Sequence, residues 1–166
     1  MSKFSELCNS YAMSRATYFA YRDKSVDFAG DLMKRYIAYL EISEENYRYL
    51  PLDKEPKVDT KYSMRGALHL DDDARWRLGL QLTLVAASDE TARQPVLIAF
   101  MFQSEGDAYR VRIAESDNGH LIHSESELDF NRFFNFLQSQ IKQHFEGDFQ
   151  RFLDQSAPMR RIGFIQ

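Results

Sequence analysis

The sequence predicts an α+β domain: a five-stranded antiparallel β-meander with two N-terminal helices and one Phe-rich C-terminal helix packed on it, in the order α-α-β-β-β-β-β-α. Three observations carry this. Trp76, Leu78, Leu80, Leu82, Leu84 and Ala86 are apolar at every second position, with Arg77, Gly79, Gln81 and Thr83 between them, and only a pleated strand separates those sets onto opposite faces. The next run, Val96 to Phe102, is apolar without interruption between Pro95 and Ser104-Glu105-Gly106-Asp107, as in a central strand covered on both sides. Near the C-terminus, Phe130, Phe133, Phe134, Leu137, Ile141, Phe145, Phe149 and Phe152 form one helical stripe, with Gly147 as a break.

Residues 1–50 read as the helical part. Phe4 to Tyr21 holds no Pro or Gly, and Phe4, Leu7, Cys8, Tyr11, Tyr18 and Phe19 roughly follow helical spacing. Ser25 suits the N-cap of a second helix, whose Ala29, Leu32, Met33, Tyr36, Ile37 and Leu40 recur at intervals of three and four. No strong breaker separates the two, so their fusion into one helix is the alternative. Glu41 to Tyr49 reads as a further helical turn. Pro51 and Pro56 make residues 51–61 a loop, placed within one domain because the amphipathic stripes before it need a surface to pack on.

The sheet is expected over residues 62–124. Tyr62, Met64, Leu68 and Leu70 alternate with polar or small neighbours to give its first strand, weak at Gly66. Asp71-Asp72-Asp73 is the turn into Trp76. Tyr109, Val111 and Ile113 alternate with Arg110 and Arg112, and Asn118-Gly119 suits a type I′ turn into a short strand from His120 to Ser124. Ser126, with Asp129 three positions on, opens a helix over 126–154 in the manner of a capping box. In the tail, 155–166, Ile162 and Phe164 can extend the sheet or bind a partner.

Composition fits an ordinary globular domain. With 21 basic and 25 acidic side chains among 166 residues, the formal charge is −4, against wholesale attraction to nucleic acid or anionic lipid. Cys8 is the single cysteine, so no internal disulfide is possible. The N-terminal residues lack the apolar core of a secretory signal, and no run reaches the roughly 20 apolar residues that span a bilayer. A cytoplasmic protein is expected.

Catalytic and metal motifs are absent from the sequence: there is no G-x-S-x-G, no glycine-rich phosphate loop and no H-E-x-x-H. On a strand, His120 and His123 point to opposite faces and cannot share an ion, and Asp71 to Asp73 lack calcium-loop spacing. No cofactor and no metal are expected. Cys8 reads as a small buried hydrophobe, with His69 or His144 as conceivable partners of a nucleophile.

One feature points to function. A meander would place Arg65, His69, Arg77, Gln81, Met101, Arg110 and Arg112 on the face opposite Trp76, around an apolar centre of Leu97, Ala99 and Met101, while Asp71 to Asp73, Asp89, Glu90, Glu105 and Asp107 fall in turns. An apolar centre flanked by arginines has the anatomy of an interface. The expectation is a binding or adaptor protein without enzymatic activity, able to form a homodimer, engaging an acidic protein partner through this sheet face or the tail. The competing expectation is a small-ligand carrier or enzyme with an apolar pocket near Trp76, Tyr109 and Phe133, holding an anionic small molecule at an Arg/His mouth.

Overall fold

The computed structural model describes residues 2–113, 117–147 and 160–162. Its order is α1 (Lys3–Leu40), a 3-10 turn (Glu44–Asn46), β1 (Tyr47–Leu50), α2 (Met64–Ala67), β2 (His69–Leu70), β3 (Trp76–Ala86), β4 (Asp89–Glu105), β5 (Ala108–Arg112), β6 (His120–His123), α3 (Glu127–Gly147) and β7 (Arg160–Ile162). The strands form one open sheet in the order β1-β3-β4-β5-β6, antiparallel throughout; β2 adds to β3, and β7 lies parallel to β4. The α+β class and the helix-covered antiparallel sheet are as the sequence predicts.

Both long helices cover the Trp76 face. Register places Trp76, Leu78, Leu80 and Leu82 of β3 opposite Phe102, Phe100, Ile98 and Val96 of β4, and all eight are buried. From α1, Phe28 stacks on Tyr109 at 4.1 Å between centroids, and Tyr36 lies 5.2 Å from Phe134 of α3. Phe130, Phe133, Phe134 and Leu137 are buried as the stripe requires. At roughly 1.5–3 kcal/mol for each large apolar side chain removed from water, this aromatic layer is a main source of stability. Asp129 N–H bonds Ser126 Oγ at 3.2 Å, the expected cap of α3. Phe149, Phe152 and Phe164 lie outside the described residues.

Four local expectations are corrected. The N-terminal pair is one helix of 38 residues, and Ser25 sits within it, buried, its hydroxyl 3.2 Å from that of Tyr109. Tyr47–Leu50 is a strand, not a helical turn, paired with β3 from Tyr47↔Leu82 to Leu50↔Gly79. The strand expected over Tyr62–Leu70 is broken by α2, because Ser63 Oγ accepts from Gly66 N–H at 3.0 Å and starts a helical turn; only His69–Leu70 pairs as a strand. Gly119 does take a positive φ of 78°, yet the path from β5 to β6 is longer than a two-residue turn. A tight two-residue hairpin does follow β4, at Gly106-Asp107, where Glu105 pairs with Ala108 and Gly106 has φ 64°.

Candidate functional site

The sheet register settles which side chains share the second face. His69 is opposite Arg77, Arg77 opposite Met101, and Met101 opposite Arg112; Gln103 is opposite Arg110, and Gln81 lies two positions along β3 from Gly79. Six of the seven expected residues therefore share a face. Arg65 does not: it is exposed on α2, off the sheet, because the local Ser63 cap overrides alternation.

Sharing a face does not leave these cations free. Arg77, with its side chain only 10% exposed, is ion-paired to Asp71 and, at 2.8 Å, to Asp73; its Nη1 donates to Met101 Sδ at 2.6 Å. His69 lies 3.4 Å from Asp71 and 3.7 Å from Asp53. Gln81 Oε1 accepts from Arg48 at 3.1 and 3.3 Å. Arg110 holds both oxygens of Glu105, at 2.6 and 3.0 Å, and Asn118 O at 3.1 Å. That hydrogen bond holds the Glu105 carboxyl below its ordinary range and raises Arg110. The half-buried Arg112 has an Nε without a hydrogen-bond partner among the described residues, and its stem lies under Gly119.

The expected apolar centre is closed as well: Leu97, Ala99 and Met101 are buried. Three of the acids that looked separate from this face in sequence, Asp71, Asp73 and Glu105, fold back onto it. One of these pairs was derivable, since a two-residue hairpin at Gly106-Asp107 makes Glu105 and Arg110 diagonal neighbours on one face.

Other candidates resolve similarly. Trp76, Tyr109 and Phe133 are buried within one packed cluster. His120 packs against Phe133 and Phe136, whereas His123, on the opposite face, binds Asp129 through Nδ1 at 2.9 Å. Cys8 is exposed rather than buried. A cleft of about 200 Å³ beside β1 is lined by Glu44, Tyr47, Arg48, Tyr49, Lys61, Tyr62 and Ser63. It falls short of the roughly 300–1,000 Å³ typical of ligand pockets.

No known protein family, curated protein or solved structure matches this chain.

The remaining candidate is α1 itself. At 1.5 Å per residue the helix is about 57 Å long. Among the described residues, its packing on the hydrophobic core begins at Tyr21, which meets Trp76 at 6.3 Å. Everything from Lys3 to Tyr18 except Ser5 is exposed, including Phe4 at 74%, Leu7 at 68%, Tyr11 at 67% and Tyr18 at 47%. These four continue the buried stripe: positions 4, 7, 11, 18, 25, 29, 32 and 36 follow one another at helical intervals, so one face of α1 is covered over its inner half and bare over its outer half. The outer half is held at its start by Ser2, whose Oγ accepts from Ser5 N–H at 3.1 Å. The spacing is present in the sequence; that the domain ends before it is a tertiary fact. Among the described residues, no helix is long and apolar enough to cross a membrane.

Proposed function

We propose that this protein is a binding or adaptor protein whose docking element is the outer half of α1, offered as a preformed helix to a groove on a protein partner. The observation that carries this reading is the bare continuation of the core-facing stripe through Phe4, Leu7, Tyr11 and Tyr18. Leaving large apolar side chains in water forgoes roughly 1.5–3 kcal/mol each, and contiguous exposed apolar surface marks interaction sites. Anchors at i, i+3 and i+7 are the pattern by which an amphipathic helix seats in a groove. The internally paired arginines of the sheet act in this reading as scaffold, tying turns to strands beneath the helices.

The test is affinity capture with the full-length chain as bait, beside a Leu7→Glu/Tyr11→Glu variant. A partner retained by the first and lost by the second, with the thermal midpoint unchanged, supports the reading. Equal retention by both baits would remove it.

A further inference from the structure

We infer that the partner surface receiving the outer half of α1 is a protein groove with an apolar floor and a carboxylate rim; this deepens the docking role proposed above and rests on it. Between Ser2 and Arg22 the chain carries Lys3, Arg15 and Arg22 against Glu6 alone, which leaves +2 there and −6 on the remainder of a chain whose total is −4. Glu6 is itself taken by Lys3 at 3.3 Å.

The cations are also placed. Arg15 and Arg22 follow Tyr11 and Tyr18 by four residues each, on the edge of the stripe, and both hold their guanidinium carbons over the Phe19 ring, at 5.1 and 4.7 Å from its centroid. Arg22 is shared with Asp23 at 3.1 Å, an exposed pair of low worth, and Arg15 presents the fuller charge. A partner complementary to this strip supplies apolar surface to Phe4, Leu7, Tyr11 and Tyr18 and carboxylates to the guanidinium edge, where charge-assisted, bidentate pairing is strongest.

Charge weighs against other occupants. A second copy in parallel would set Arg15 and Arg22 against themselves. An anionic membrane would attract three cations but repel the −6 carried by the rest of the chain.

Three probes test this with the full-length chain: calcium-loaded calmodulin as a groove of this chemistry, phosphatidylserine vesicles, and the chain itself by light scattering. The expected result is calcium-dependent binding to calmodulin, weakened about ten-fold or more by Arg15→Glu/Arg22→Glu and by added salt, and weakened also by Leu7→Glu/Tyr11→Glu. An arginine variant within about two-fold of wild type, with the apolar variant inactive, overturns the acidic rim and leaves the docking reading standing. Binding unaffected by the apolar variant sinks the docking reading itself. Vesicle binding without calmodulin binding, a dimer mass abolished by the apolar variant, or no binding to any probe each overturns the inference.

Discussion

The inner half of α1, from Tyr21 to Leu40, and the outer half, from Lys3 to Phe19, carry apolar residues at the same spacing along one face, yet Ala29, Leu32 and Tyr36 are buried whereas Phe4, Leu7 and Tyr11 stand in solvent. The inner half has Phe100, Phe102 and Tyr109 of the sheet and Phe130 and Phe134 of α3 beneath it; the outer half has run past them. Helical periodicity thus reports a face that calls for cover. Whether the cover comes from the same chain depends on the length of the sheet below.

The comparison breaks if the two halves respond alike to truncation. Phe28→Ala should cost about 3–5 kcal/mol in urea unfolding, because it removes the ring that Tyr109, Phe102 and Phe130 surround. Next comes the pairing of the edge strand β1 with β3. A Cβ at Gly79 would stand 2.6 Å from Leu50 O, so Gly79→Ala should push β1 from β3 and cost about 1–3 kcal/mol by the same measurement. Ser25→Ala removes a polar link of the buried stripe, to Tyr109, and should cost about 1 kcal/mol.

A smaller effect is expected in acid. Hydrogen bonds from His123 hold the Asp129 carboxyl below its ordinary 3.8, and the bond from Arg110 holds Glu105 below its ordinary 4.5. A carboxylate whose folded pKa is depressed contributes stability that is fully present above its unfolded value and fades as pH falls through the folded one. Chemical unfolding followed below pH 4.5 should therefore lose stability less steeply in Asp129→Asn and Glu105→Gln than in wild type. Least of all, Phe4→Ala should leave the urea midpoint within about 0.5 kcal/mol of wild type. A loss comparable to that of Phe28→Ala would show that the outer half is covered after all.

What could be read in the sequence follows the range of the forces involved. β3 was legible because the alternation from Trp76 to Leu84 leaves no other geometry, and α3 because its phenylalanines repeat at one period. β1 was missed since Tyr47 to Leu50 is too short for a period to emerge and depends on a partner thirty-odd positions away, as in Tyr47↔Leu82. Tyr62 to Leu70 misled because a single hydroxyl, Ser63 Oγ, outweighs alternation over four residues. Period two placed six of the seven expected residues on one face. That Asp71, Asp73 and Glu105 answer the arginines there required the turns to be built, and the exposure of Phe4 to Tyr18 required the edge of the domain to be known.

The parallel pairing of β7 on β4 has a consequence for how the chain is made. Val96 to Ile98 are bonded on one side by β3, which is synthesised just before them, and on the other by Arg160 to Ile162, which follow much later in the chain. During that interval the middle strand of the sheet presents an open rim of amides and carbonyls, the kind of edge that invites pairing between nascent chains. Arrival of Arg160 to Ile162 is thus what covers this stretch of β4.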